Sequence, residues 1–153
     1  MDNNVIEKQT TNISVIIGKE FADKVIPLIR KTQKTIDIIV YDWRWHPDQI
    51  GSKIQRFNNE LVMCRRKNNR IRVITDSPHL LTILKNVNFE VKKNISKRKL
   101  HTKLMIIDSK TVILGSHNYT MNAFTINYEV SVIVEDEKAV ARLKLYFENL
   151  WGL

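Results

Sequence analysis

LHTKLMIIDSKTVILGSHN, residues 100–118, is the stretch that decides how this chain is organised. Leu100 to Ile107 and Thr111 to Leu114 are apolar runs rich in β-branched residues, and Asp108, Ser109 and Lys110 lie between them, so the segment reads as two strands joined by a tight turn. With Ser109 and Lys110 as a two-residue loop, Asp108 pairs with Thr111. That register sets His101 opposite Asn118 and Lys103 opposite Ser116. Strand side chains alternate between faces, so His101 and Lys103 share a face, and Ser116 and Asn118 share a face. His117 then turns the opposite way and is not expected to react.

An imidazole, an ammonium, a hydroxyl and an amide brought together suit a phosphoryl group. Lys103 supplies positive charge, while Asn118 and Ser116 donate hydrogen bonds to non-bridging oxygens as phosphorus is attacked. His101 is left as the reactive group, able to act as nucleophile or as acid and base near neutral pH. Asp108 at the turn and Gly115 are expected to support the site structurally. Lysine, amide and histidine do the charge work, and the chain has no HExxH or paired CxxC signature, so no metal or cofactor is expected.

Outward from the hairpin, strand and helix signals alternate. Ile13 to Ile17, Ile36 to Tyr41, Ile71 to Thr75, Phe89 to Lys92 and Tyr128 to Val134 read as strands. Helices are expected where Phe21, Val25 and Leu28 keep step, with Pro27 kinking or dividing the pattern. A longer one follows Ile50, Ile54, Phe57, Leu61 and Cys64, a short one is capped by Ser77 and Pro78, and the last runs from Asp136 to Leu150. Strands separated by helices predict an α/β domain spanning 1–153, with a mixed, largely parallel central sheet sandwiched by helices and antiparallel pairing contributed by the hairpin. Residues 1–12 are expected to be a flexible or edge segment.

HTKLMIID and GSHN resemble the HKD motif of the phospholipase D superfamily. Glu129, in NYEVSVIV, stands at about the distance at which family members carry a glutamate that hydrogen-bonds the motif histidine. Classical members are several times longer and carry two copies, and one copy in 153 residues resembles the small bacterial phospholipase-D-type endonucleases. The resemblance implies the phospholipase D-like fold and a phosphohistidine intermediate, with His101, Lys103, Asn118, Ser116 and Glu129 as the catalytic set. One histidine cannot both carry the phosphoryl group and protonate the leaving oxygen in the same step. A two-fold homodimer sharing one site is therefore expected.

The formal charge of +9 favours a polyanionic partner. Lys97, Arg98 and Lys99, directly before His101, are candidates for drawing phosphate towards the site, whereas Arg65, Arg66, Lys67, Arg70 and Arg72, with Lys92 and Lys93, read as solvated helix ends and strand rims. Loops after parallel strands border the ligand crevice of such sheets, which singles out residues 42–46 and 76–79. Trp43, Arg44 and Trp45 are candidates for substrate contact, with packing as the competing reading of the two tryptophans. Cys64 is alone and sits at an apolar helix position, so an inert buried thiol is expected. Residues 1–12 lack the features of a secretory leader and no run reaches transmembrane length, so a cytoplasmic location away from membranes is expected. The reading that results is a metal-independent phosphodiesterase, an endonuclease of DNA or RNA. The alternatives are a cardiolipin-type phospholipid hydrolase and a non-catalytic nucleic-acid-binding subunit.

Overall fold

The computed structural model describes residues 11–153. The expectation for 1–12 therefore falls almost wholly outside the described residues. β1 (Asn12–Ile17), α1 (Phe21–Arg30), β2 (Thr35–Ile39), α2 (Lys53–Arg66), β3 (Arg70–Thr75), α3 (Pro78–Asn86) and β4 (Glu90–Lys93) come first. β5 (Leu104–Ile107), β6 (Thr111–Gly115), α4 (Met121–Thr125), β7 (Val130–Glu135) and α5 (Glu137–Trp151) complete the order. The seven strands form one sheet in the order β1-β7-β6-β5-β2-β3-β4.

The sheet is mixed, as expected. Only β2 with β3 and β3 with β4 pair in parallel; β2 with β5, β5 with β6, β6 with β7 and β7 with β1 are antiparallel. "Largely parallel" thus holds for strand direction, since only β5 and β7 run against the others, and fails for neighbour pairing. β5 and β6 are joined only by Asp108, Ser109 and Lys110, which allows nothing but an antiparallel pair, while β6 returns antiparallel to β7 through the 116–129 connection that carries α4.

Alternation along each strand divides the core between two faces. Ile36, Ile38, Val73, Met105, Ile107 and Ile113 meet α1, α2, α3 and α4 on one face. Ile39, Ile74, Leu104, Ile106 and Val112 meet Val140 and Phe147 of α5 on the other. At the β1–β7 end Ile13, Val15, Ile17 and Val130 remain exposed.

Three local expectations need adjusting. α2 begins at Lys53, because Ser52 caps it by accepting the Gln55 N–H at 3.2 Å; Ile50 is left outside and exposed. α1 runs through Pro27 to Arg30 without dividing. Arg72 is no solvated rim residue: it sits opposite Asp37 in the parallel register, facing α5, and is buried. Its guanidinium holds Asp37 Oδ1 at 2.6 Å and Glu148 Oε1 at 2.6 Å and lies over the Phe147 ring at 4.7 Å. Lys144 closes the network on Asp37.

The hairpin register is shifted by one residue from the expected one. Ile107, not Asp108, pairs with Thr111, and Asp108, Ser109 and Lys110 form the connection. Asp108 and Ser109 take left-handed φ values of 51° and 53°, and the Lys110 N–H reaches the Ile107 carbonyl at 3.0 Å. The cause lies in the Asp108 carboxylate, which accepts the backbone N–H groups of Gln33, Lys34 and Thr35 at 2.9, 2.8 and 2.9 Å. This clamp ties the hairpin tip to the start of β2. Asp108→Ala removes all three bonds and puts a less tolerant residue at positive φ, and is expected to cost about 2–4 kcal/mol in urea unfolding.

Candidate active site

Because β5 runs antiparallel to β2, with Leu104 opposite Ile39, the approach to β5 lies at the carboxyl ends of β2 and β3. His101 and Lys103 occupy that approach rather than the strand itself, and Ser116 follows directly on β6. The pairing of His101 with Asn118 and of Lys103 with Ser116 is therefore not realised. His101, Lys103, Gly115 and Ser116 nevertheless line one cavity of about 440 Å³ whose far wall is Leu104, Leu114, Leu143 and Tyr146. Asn118 lines a neighbouring polar groove of about 510 Å³ with Asp42, Arg44, His46, Thr120 and Asn122.

His101 is exposed, and the Lys103 ammonium lies 3.2 Å from both of its ring nitrogens while donating to its carbonyl at 2.9 Å. Burial pushes the Lys103 ammonium below its ordinary value, and the nearby Glu129 carboxylate works against that shift. Glu129 itself accepts a short hydrogen bond from the Ser116 hydroxyl and a 3.1 Å bond from the Asn127 amide. The expected bond from His101 to Glu129 is not among its contacts. Ser116 brings the carboxylate to its own side, since its Oγ also accepts the Val130 N–H at 3.1 Å and its N–H donates to the Val130 carbonyl at 2.9 Å.

Gly115 pairs with Ser131 across β6 and β7, and a side chain there would collide with the Ser131 backbone and the Val130 carbonyl. Asn118 Oδ1 accepts the Asp42 N–H at 3.2 Å, which leaves its amide NH₂ for the groove. His117 is buried as alternation predicts. Its Nε2 donates to the Gly18 carbonyl at 2.9 Å, its Nδ1 accepts from the Ser131 hydroxyl at 2.7 Å, and burial lowers its pKa.

Of the candidate substrate contacts, the tryptophans move to the core. Trp43 is only 2% exposed, donates to Asn58 Oδ1 at 2.7 Å, and packs against Phe57 and Tyr119. Trp45 is half-buried against Trp43 and Phe89. Both follow an isolated bridge between Trp43 and Tyr119, which draws the 42–46 loop inward. Arg44 stays exposed at the Asn118 groove, paired with Asp42 at 2.9 Å. Lys97, Arg98 and Lys99 are exposed, and Lys99 Nζ lies 4.6 Å from the centroid of the Tyr41 ring. Their loop is held by Asp76, whose carboxylate accepts the Leu100 N–H at 2.8 Å and the Asn94 amide at 2.8 Å.

Sequence reasoning missed Tyr41, whose ring lies 5.0 Å from that of His101, and the clasp of Asp76 and Asn94. Tyr41 ends the run after β2, and that position at a crevice was the signal available. Among the described residues, no group of three or more His, Cys, Asp or Glu side chains is placed to hold a metal ion. No helix among them is long and apolar enough to cross a membrane.

The mitochondrial cardiolipin hydrolase of Canis lupus familiaris is 30% identical over 109 residues, which are 67% of this chain and 40% of that protein. The chain thus spans about half or less of the length of such curated relatives. NucT from Helicobacter pylori superposes with a TM-score of 0.77 at 21% identity, covering 94% of this chain and 97% of the other. The phospholipase D family member Nuc from Salmonella typhimurium superposes with a TM-score of 0.77 at 19% identity, covering 94% and 95%. These two likenesses show the fold. The family model described as "Cardiolipin synthase, PLD-like domain" matches residues 25–151, well over half of the sequence, and the chain therefore belongs to the phospholipase D-like family.

Proposed function

We propose that the protein is a metal-independent phosphodiesterase, an endonuclease of DNA or RNA that works through a phosphohistidine at a site shared by two copies of the chain. The observation that carries this reading is the convergence of His101, Lys103 and Ser116 on one cavity, with Lys99 over the Tyr41 ring beside His101 and Lys97 and Arg98 exposed just before it in the chain. His101 of one copy attacks phosphorus, forming a P–N bond, as the bond to the leaving oxygen breaks and the partner's His101, protonated, gives that oxygen its proton. Water then attacks phosphorus and breaks the P–N bond, and the partner's His101 takes its proton. Lys103 and the Asn118 amide stabilise the charge on the non-bridging oxygens.

A second copy also has a surface to use. The line Leu114–Val132–Val15 runs across three strands from the cavity wall to the uncovered β1 edge, flanked by Ile13, Ile17 and Val130. Packing that face on its two-fold mate buries apolar area beside the wall that Leu114 lends the cavity.

The +9 charge suits either polyanion, and nucleic acid is favoured over lipid by the polar groove lined by Asn118, Asn122, Asn127 and Arg44. A phospholipid hydrolase is the second reading, supported by the apolar wall of Leu104, Leu114 and Leu143 and by the relatives named cardiolipin hydrolases. The purified protein in EDTA, offered labelled single- and double-stranded DNA, RNA and cardiolipin vesicles, is expected to cut nucleic acid. His101→Ala is expected to cut none. Hydrolysis of cardiolipin alone would establish the second reading, and tight binding with every substrate intact would make the protein a non-catalytic binder.

A further inference from the structure

Nothing in the arrangement above yet accounts for how the His101 ring is held. Its expected carboxylate partner, Glu129, is engaged by Ser116 and Asn127. The Lys103 ammonium lies equally far from both imidazole nitrogens, so it is aligned with the lone pair of neither and does not select an orientation. An exposed imidazole with two rotatable bonds and no directional partner samples many positions, and in-line attack needs one of them.

The remaining contact is aromatic. The Tyr41 ring centroid is 5.0 Å from that of His101 at an interplanar angle of 49°. The same ring takes two cations within cation–π reach, Lys99 Nζ at 4.6 Å and Lys103 Nζ at 5.6 Å from its centroid. Tyr41 is itself well placed to be a fixed point. It follows the buried residues Ile38, Ile39 and Val40 at the end of β2, and the next residue, Asp42, is bonded through its N–H to Asn118 Oδ1 and through its carbonyl to the Tyr119 N–H at 2.9 Å.

We propose that Tyr41 is a positioning residue, whose ring face holds the His101 imidazole and the ammonium groups of Lys99 and Lys103 in one constellation for attack on phosphorus. The inference rests on the phosphodiesterase reading above for its catalytic consequence, and on geometry alone for the contact. The ring is the active part, so the phenolic hydroxyl is dispensable. Lys99 acquires a definite place through it, tethering the 97–99 loop to the reactive centre.

The test compares Tyr41→Leu, which keeps apolar bulk without a π face, with Tyr41→Phe, which keeps the face without the hydroxyl. Tyr41→Leu is expected to lower kcat between about 10- and 100-fold with a smaller change in KM, and Tyr41→Phe to restore kcat to within about threefold of wild type. The wild-type protein with labelled histidine is expected to show contacts in NMR between the His101 ring protons and an aromatic ring, with ring-current shifts that persist in Tyr41→Phe and vanish in Tyr41→Leu. Full kcat in Tyr41→Leu, equal damage in both variants, or wild-type His101 signals without an aromatic contact would overturn the proposal. If wild type cuts no substrate, the phosphodiesterase reading fails, and the NMR measurement alone decides whether Tyr41 holds the imidazole.

Discussion

Replacing His101 by alanine is expected to lower phosphodiester cleavage on the order of 10⁴-fold or more, because in the proposed mechanism one residue type serves as nucleophile, acid and base. The more discriminating form of the experiment mixes subunits. When wild-type and His101→Ala chains are co-refolded in equal amounts, random pairing makes about one quarter of the dimers fully wild type. A shared site needs both histidines, so activity should fall to about one quarter, whereas two independent sites would leave about one half. Sedimentation of the same mixture shows whether dimers are present. A fully active monomer would rule out the shared site and leave the leaving oxygen to be protonated by some other group.

Asp37→Ala is expected to destabilise the fold by about 3–5 kcal/mol, because it leaves the Arg72 guanidinium buried with half its partners gone. Asp37 is 1% exposed and takes hydrogen bonds from Arg72 at 2.6 and 3.0 Å, with Lys144 also upon it. Removing both charges is milder than removing one, so the pair Asp37→Leu with Arg72→Leu should recover much of the loss, as urea unfolding would show. If the single variant is as stable as wild type, the network contributes nothing. Its exposed member, Glu148, adds a pH signature. Arg72 and Lys144 lower the Glu148 pKa from 4.5 to about 2, although burial opposes them. The folded value lies below the unfolded one, so this stabilisation is present above pH 4.5 and is lost as pH falls from there towards 2.

What could be read from the sequence was what repeats at short range. Apolar runs with period two or near 3.6 located most strands and helices, and the spacing of His101, Lys103 and Ser116 brought the residues of one cavity into view. The hairpin register was not legible, because it depends on Asp108 meeting amides 73 to 75 residues earlier in the chain. Arg72 looked like one of a basic cluster for the same reason: its carboxylate partners come from β2 and α5. Trp43 and Trp45 stood at a crevice by topology, yet a single bridge to Tyr119 turned their loop into the core. Glu129 was found by its distance along the chain, but its Ser116 contact depends on how β6 and β7 meet at Gly115.

The pairing of β1 with β7 has a kinetic meaning as well. Asn12 and Glu135 meet across 123 intervening steps of chain, and Thr11 and Asp136 across 125. Closing so long a loop is slow relative to forming the local β5–β6 hairpin. During synthesis His101 and Lys103 emerge well before β7 is available, and the bond from Ser116 to Glu129 waits for it. A chain caught before that closure can already join Ser116 to Glu129, 13 residues on, but lacks the Gly18 N–H on the Glu129 carbonyl and the Gly18 carbonyl that takes the His117 ring N–H. Competence for chemistry should therefore lag behind acquisition of helix and hairpin structure in a refolding experiment.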